Sequence, residues 1–238
     1  MLPEPKAVLF DFADTVLVEE AFLPAAGLAR LLELAEPSGT VGLEELIAYE
    51  RAILKDLMPR KQASLLELPW QAVFRMLSDR FGLTFRLSLP EIEWEFWKAT
   101  ERMKPAPCIE AVLKFFMERK IPMSIVSNSR CHSETLLREL DQHGLRHYFR
   151  FLMSSADYGL RKPHPLLFQT AAYRLGFTPS EIWFVGDALE TDIAGAIGAG
   201  MTAIWYNPRR SPQGEIPPHA ESHEWEEILS LFPSSCSA

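Results

Sequence analysis

The amino-acid sequence predicts an α/β protein, a doubly wound, Rossmann-like parallel sheet with a helical cap domain inserted after the first strand. Three observations support this prediction. The run from Ala7 to Phe12 is apolar apart from Asp11. Helical periodicity fills the segment that follows, and strand and helix patterns then alternate to the end of the chain. Such alternation is typical of a parallel sheet covered by helices on its faces.

The first strand is predicted at Ala7 to Phe12, because a short, almost wholly apolar run is typical of a strand buried on both faces. From about residue 18 to residue 103, apolar residues recur at helical spacing, which predicts a helical lobe. The prolines in Lys104 to Pro107 predict a hinge, because proline cannot continue a helix. The expected domains are a core of residues 1–17 and 105–238 and a helical cap of residues 18–104.

Beyond this hinge, helices and strands alternate as a parallel sheet requires. The predicted helices are residues 109–116, 133–140, 165–175 and 191–199, with a last helix near 225–231. The predicted strands are residues 122–126, 151–154, 182–185 and 203–206. The proline-rich segment 211–219 is predicted to be a surface loop. Sheets of this kind bind ligands outside the carboxyl ends of their strands, so functional residues are expected there.

Composition narrows the possible functions. The 238 residues contain 24 Lys and Arg against 32 Asp and Glu, a formal charge of -8, so no basic face for nucleic acid is expected. Three cysteines without CxxC spacing predict neither a disulfide framework nor a zinc knuckle, which fits a reducing cytoplasm. No apolar run reaches the roughly 18 residues of a membrane helix. We expect a cytoplasmic monomer or homodimer with no membrane or nucleic-acid partner.

Polar side chains cluster near the ends of the predicted strands. Each of them alone has an ordinary explanation as a helix cap, a turn residue or a surface charge. Together, carboxylates at neighbouring strand ends suit Mg²⁺, which takes one or two protein carboxylates and leaves room for water and phosphate. A lysine and a hydroxyl beside them would bind the remaining phosphate oxygens. These side chains are Asp11, Asp14, Thr15, Ser127, Asn128, Lys162, Asp187 and Asp192.

The order and spacing of four motifs resemble the haloacid dehalogenase (HAD) superfamily, in the branch with a helical (type C1) cap after the first strand. The resemblance covers nearly the whole chain. It implies a hydrolase acting on a small phosphorylated metabolite, in which Asp11 is a nucleophile that forms a covalent aspartyl intermediate. The four motifs are Phe10 to Thr15, Ile125 to Asn128, Gly159 to Pro165, and Phe184 to Asp187 followed by Asp192.

The same resemblance implies roles for the other motif residues. Ser127 would bind the transferring phosphoryl group, and Lys162 would neutralise charge on that group and on Asp11. Thr15 and Asn128 are expected to assist in phosphate binding. Mg²⁺ is the implied cofactor. Its implied ligands are Asp11, the backbone carbonyl of Ala13 and Asp187, with Asp192 in the outer shell.

Ala13 departs from the family pattern. Most phosphatases of this family have a second aspartate there, two residues after the nucleophile, which protonates the leaving oxygen and then activates water. A general acid or base contributes roughly 10² to 10⁴-fold to the rate. A phosphatase with Ala13 would therefore use Asp14, a cap residue, or a leaving group that needs no acid. This phosphatase interpretation is the preferred one.

Three alternatives remain open. Phosphonoacetaldehyde hydrolases resemble this chain in an Asp-x-Ala pattern paired with a cap lysine, for which Lys55 and Lys61 are candidates, although that branch usually has arginine where this chain has Lys162. The 2-haloacid dehalogenases also lack the second aspartate and need no metal, but they carry tyrosine there. A catalytically weak binding or scaffold module is the last alternative. The retained carboxylates argue against it, because a cluster that binds nothing costs stability through repulsion.

Overall fold

The computed structural model describes residues 2–36 and 41–232, with the backbone alone described at residues 61 and 62. In chain order, the strands of these residues are β1 (Ala7–Phe10), β2 (Leu17–Phe22), β3 (Ala35–Glu36), β4 (Thr84–Phe85), β5 (Glu101–Pro105), β6 (Met123–Ser127), β7 (Phe149–Ser154), β8 (Ile182–Gly186), β9 (Thr202–Tyr206) and β10 (Ala220–Ser222). The helices are α1 (Pro24–Leu34), α2 (Leu43–Ser64), α3 (Trp70–Phe81), α4 (Leu89–Thr100), α5 (Ile109–Glu118), α6 (Ser133–Gln142), α7 (Ser155–Tyr158), α8 (Pro165–Leu175), α9 (Ala194–Gly198) and α10 (Trp225–Ser230).

Six of these strands form one sheet in the order β10-β9-β8-β1-β6-β7. Every neighbouring pair in it is parallel. This confirms the predicted α/β fold with a parallel sheet. β1 lies at the centre, and the chain moves to one side of it through β6 and β7 and to the other side through β8, β9 and β10. The direction of strand addition therefore reverses between β1 and β8. Open sheets of this class bind ligands at such a point.

The side chains of β1 explain why the strand is almost entirely apolar. Val8 and Phe10 belong to one buried cluster, with apolar residues of α5, α6 and α10. Ala7 and Leu9 belong to a second cluster, with residues of α8 and α9. Helices therefore cover both faces of the sheet, and each residue of β1 is fully buried. A strand in this position cannot alternate polar and apolar residues.

The segment from residue 18 to residue 104 contains α1 to α4, as its periodicity predicts, but it also contains strands that were not predicted. β2 and β5 pair antiparallel at its two ends, with Leu17 opposite Pro105 and Phe22 opposite Glu101. Neither strand pairs with the six-stranded sheet. Lys104 and Pro105, predicted to form a hinge, belong to β5. A short ribbon with mostly exposed side chains lacks the apolar pattern from which strands are predicted.

β10 was also not predicted, because its three residues are too few to form a pattern. No helix of the described residues is long and apolar enough to cross a membrane. The division of the chain into a core and a cap stays a prediction at this point.

Candidate active site

The carboxyl ends of β1, β6 and β8 lie side by side and deliver the polar residues of the site. Asp11 directly follows β1, Ser127 is the last residue of β6, and Asp187 directly follows β8. The backbone N–H of Asp11 donates to the carbonyl of Val185 in β8. The indole Nε1 of Trp205 donates to the carbonyl oxygen of Asp187 at 2.8 Å. These two hydrogen bonds hold the main chain of Asp11 and of Asp187 at one edge of the sheet.

Lys162 is the buried cation of the site, and its ammonium group has three protein acceptors. Nζ donates to Oδ1 of Asp11, to Oδ1 of Asp192 at 2.7 Å and to the carbonyl of Val126 at 2.8 Å. Burial alone would lower the pKa of Lys162, but the two carboxylates outweigh burial and raise it. The lysine is therefore charged, and its charge is held against Asp11.

Asn128 holds the main chain of Lys162. Its Oδ1 accepts from the N–H of Lys162 at 2.7 Å, and its Nδ2 donates to the carbonyl of Lys162 at 3.0 Å. Both ends of the amide are thus used by one residue 34 positions away in the chain. The phosphate-binding role of Asn128 stays a prediction, and this geometry gives Asn128 a second role, which is to position the lysine.

Asp192 reaches Lys162 from a wide helical turn that follows β8. Residues Leu189–Ile193 form a π-helical turn that leads into α9, where the sequence predicted a regular helix from residue 191. Turns of this kind are rare and are frequently found at functional sites. Oδ2 of Asp192 accepts from the N–H of Ala188 at 3.2 Å, which leaves Oδ1 for the lysine.

Gly186 makes room for this carboxylate. A Cβ at this position would lie 2.4 Å from Oδ2 of Asp192 and 2.7 Å from its Cβ and Cγ. We expect Gly186→Ala to displace Asp192 from Lys162 and to lower kcat/KM by about 10²-fold, the size of effect that a 1 Å misplacement can have. Gly198→Ala is the control, because nothing lies within 4 Å of a Cβ there. Equal kcat/KM values for the two variants would mean that Asp192 need not be held in this place.

The carboxylates of Asp11, Asp187 and Asp192 can present ligand oxygens that lie within 4.8 Å of one another. Burial raises the pKa of Asp11 to about 6, and the charge of Asp192 adds to this while Lys162 opposes it. Burial also raises the pKa of Asp187 to about 7, and Asp11 and Asp192 add to it. Three carboxylates facing one ammonium therefore repel one another. Since all the donors are hard oxygens, a divalent cation such as Mg²⁺ fits the set and would relieve the repulsion.

These residues line a cavity of about 230 Å³, which also includes Ala13, Asp14, Ser127 and Asn128. Ser127 is buried at its edge, and its hydroxyl has no hydrogen bond with the described residues. It is therefore available to a ligand oxygen. Thr191, which the sequence analysis did not select, lines the same cavity. In the sequence, the only feature that indicates a role for Thr191 is that its hydroxyl group lies next to Asp192.

Of the two remaining predicted residues, Asp14 lines this cavity and Thr15 does not. Oδ2 of Asp14 forms an ion pair with Nη2 of Arg209 at 2.6 Å, and Oδ1 accepts from the N–H of Glu19 at 3.3 Å. Thr15 is fully buried and is not among the residues that line the cavity. Asp14 is thus engaged with its neighbours, and Thr15 lies behind the surface that a ligand would reach.

A second cavity, of about 200 Å³, adjoins the first and shares Ala13, Ser127 and Asn128 with it. Glu101 and Arg130 lie among its other walls, together with aromatic side chains. Glu101 was missed by sequence reasoning, since it comes 90 residues after Asp11 in a segment with helical periodicity. Lys55, a candidate imine-forming lysine, is exposed on α2 and lines neither cavity. The side chain of Lys61, the other candidate, lies outside the described residues.

Comparison with known proteins places this geometry in a family. The chain matches the sequence model of the haloacid dehalogenase-like hydrolases over residues 5–200. It is 30% identical over 225 residues to the phosphoserine phosphatase of Thermus thermophilus, which covers 89% of this chain and 85% of that enzyme. It is 38% identical over 167 residues to the pyrimidine 5'-nucleotidase YjjG of Escherichia coli. That match covers 62% of this chain and 74% of the nucleotidase. The solved 2-haloacid dehalogenase of Pseudomonas syringae pv. tomato superposes with a TM-score of 0.66 at 26% identity, covering 97% of this chain and 98% of that one.

The chain therefore has an α/β fold with an acidic site at the carboxyl edge of its parallel sheet. The chain belongs to the haloacid dehalogenase-like hydrolase family. The resemblance inferred from the four motifs is thereby confirmed, and so is the prediction that the protein is an enzyme.

Proposed function

We propose that the protein is a Mg²⁺-dependent phosphomonoesterase that acts on a small phosphorylated metabolite through an aspartyl-phosphate on Asp11. The observation that supports this most directly is the contact of Asp11 with the buried ammonium of Lys162, beside two further carboxylates. A nucleophilic carboxylate must be ionised and must approach a phosphoryl group that carries negative charge. The lysine favours both conditions. The relatives named as a phosphatase and a nucleotidase support the same reaction.

Each residue of the site has a role in this reaction. Oδ1 of Asp11 is held by Lys162, so Oδ2 is the oxygen that attacks phosphorus. The hydroxyl of Ser127 donates to a phosphoryl oxygen, and Nζ of Lys162 neutralises charge on the same group. Asp11 and Asp187, with the backbone carbonyl of Ala13, would hold Mg²⁺, while Asp192 acts from the outer shell. When bound, the cation would neutralise part of the phosphoryl charge.

Residues 18–104 act in this proposal as a cap over the site. The segment between α2 and α3 contacts the loops that follow β6 and α7. The N–H of Glu67 donates to the carbonyl of Gly159, and the N–H of Arg161 donates to the carbonyl of Leu65. Oε2 of Glu67 also forms an ion pair with Arg161 at 2.6 Å. The leaving group would occupy the second cavity, whose walls include Trp70 and Trp97 of this segment.

Metal removal tests the proposal. We expect purified protein to release phosphate from phosphomonoesters, to lose this activity in EDTA and to regain it with Mg²⁺. The substrates to compare are sugar phosphates, phosphoglycolate, phosphoserine and pyrimidine nucleotides. Mg²⁺ should also raise the melting temperature of the unaltered protein but not that of Asp187→Asn, because a ligand that binds only the folded state stabilises it.

Two results would contradict the proposal. Full activity in EDTA would show that phosphate release does not require Mg²⁺. Release of halide from 2-haloacids without phosphate release from any ester would replace it by the dehalogenase alternative.

A further inference from the structure

The second cavity contains a carboxyl group that the proposed reaction has not yet used. Glu101 is the first residue of β5 and lies opposite Phe22 of β2, at the point where α4 ends. Its side chain lines the cavity that also contains Ala13 and Ser127. Oε2 of Glu101 is fully buried and has no hydrogen-bond partner among the described residues. A buried polar atom without a partner is uncommon in folded proteins and calls for an explanation.

The surroundings of Glu101 favour its protonated form. Burial raises its pKa to about 8, and the charges of Glu19 and Glu139 add to this. Arg130 lines the same cavity but forms no ion pair with Glu101. Its guanidinium lies over the ring of Trp70, and its Nε donates to the carbonyl of Leu68. Burial raises the pKa of the neighbouring Cys131 thiol well above its usual value, so the thiol is neutral. At neutral pH, Glu101 therefore carries a proton that it can donate.

The site needs such a proton donor. Ala13 has no acidic group, and the carboxylate of Asp14 is held by Arg209. In a phosphoryl transfer, the leaving oxygen lies opposite the attacking oxygen, hence on the side of the phosphoryl group away from Asp11. The second cavity adjoins the first at Ala13 and Ser127, so a leaving group that extends beyond Ser127 enters the space lined by Glu101.

We propose that Glu101 is the general acid and base of this enzyme and supplies the function that Ala13 cannot. This inference rests on the phosphatase function proposed above. In the first step Oδ2 of Asp11 bonds to phosphorus, the bond from phosphorus to the leaving oxygen breaks, and that oxygen takes its electron pair and the proton of Glu101. The alcohol departs, leaving aspartyl-phosphate and ionised Glu101. In the second step Glu101 takes a proton from water, the water oxygen bonds to phosphorus, and the bond to Asp11 breaks to release phosphate.

The test is the dependence of kcat/KM on the leaving group. Glu101→Gln preserves the size of the side chain and removes the proton. We expect it to lower kcat/KM for alkyl phosphates, whose leaving oxygen needs protonation, by roughly 10² to 10⁴-fold. For 4-nitrophenyl phosphate, whose leaving group departs as a stable anion, the loss should be below about threefold, because no acid is needed. Glu20→Gln is the matched control, because Glu20 is exposed on β2 and lines neither cavity, and it should leave the ratio of the two rates unchanged.

An added carboxyl group gives a second readout. Ala13→Asp should raise the alkyl phosphate rate far more in the Glu101→Gln background than in the unaltered chain, because the two groups do the same work. Equal losses on alkyl and nitrophenyl phosphates in Glu101→Gln would mean a structural role and would overturn the inference, as would no loss on either. Neither result would contradict the proposed phosphatase function. Absence of phosphate release by the unaltered protein would instead overturn the proposed function itself.

Discussion

Asp11→Asn is expected to lose phosphate release entirely, a decrease on the order of 10⁶-fold, as removal of the nucleophile causes in other hydrolases. The amide of asparagine is a poor nucleophile, and the variant also loses a charge that faces Lys162 and the proposed metal. The measurement is kcat/KM for an alkyl phosphate and for 4-nitrophenyl phosphate. Both substrates should be affected equally, because every leaving group requires the attack by Asp11.

Asp79→Asn is the matched control for this variant. Asp79 is exposed on α3, so the same chemical change there should leave kcat/KM within about twofold of the unaltered protein. The circular dichroism spectrum of Asp11→Asn should equal that of the unaltered protein, since the substitution keeps the shape of the side chain. Turnover by Asp11→Asn above one hundredth of the normal rate would exclude Asp11 as the nucleophile.

The sequence predicts the core sheet well because burial on both faces leaves a clear mark. β1, β6, β8 and β9 are short apolar runs, and each ends close to its predicted residue. A parallel sheet in turn places the carboxyl ends of neighbouring strands together. That rule is sufficient to expect Asp11 and Asp187 at one edge, although residues 12 to 186 separate them in the chain.

Contacts made by side chains could not be predicted in this way. Nothing in the motif around Asn128 indicates that its amide is bound on both sides by the backbone of Lys162. The ion pair of Asp14 with Arg209 joins segments 195 residues apart. Glu101 lies at the end of a helix pattern, and its place in the cavity that Ala13 also lines depends on the pairing of β2 with β5. Exposed, polar strands of this kind leave no periodic signal.

The similarity to a 2-haloacid dehalogenase does not favour that reaction over phosphate hydrolysis. Dehalogenases and phosphatases of this kind share one fold, and a fold does not determine the reaction. The acidic triad bears more directly on the choice. Asp11, Asp187 and Asp192 can present hard oxygen ligands within 4.8 Å of one another, which suits the metal-dependent reaction proposed above. The phosphonoacetaldehyde alternative has lost support from Lys55, which is exposed away from both cavities.

Lys162→Met is expected to affect both activity and stability. Nζ of Lys162 contacts the carboxylates of Asp11 and Asp192, and the side chain is almost completely buried. Methionine has a similar length but no charge, so the variant leaves two buried carboxylates without their cation. Removing one partner of a buried ion pair costs about 3 to 5 kcal/mol of unfolding free energy. We expect a loss of about 3 kcal/mol in urea unfolding with EDTA present, and a fall in kcat/KM of about 10³-fold or more.

A second substitution separates the two effects of Lys162→Met. Adding Asp192→Asn removes one of the uncompensated carboxylates, so it should restore part of the unfolding free energy without restoring phosphate release. Lys98→Met is the control, because Lys98 pairs with Glu95 on the surface and such pairs contribute at most about 1 kcal/mol. If Lys162→Met unfolded at the same urea concentration as Lys98→Met, the buried ammonium would not be needed to hold the carboxylates together. If Lys162→Met with Asp192→Asn recovered activity as well as stability, Lys162 would act only by balancing Asp192 and would have no part in phosphate binding.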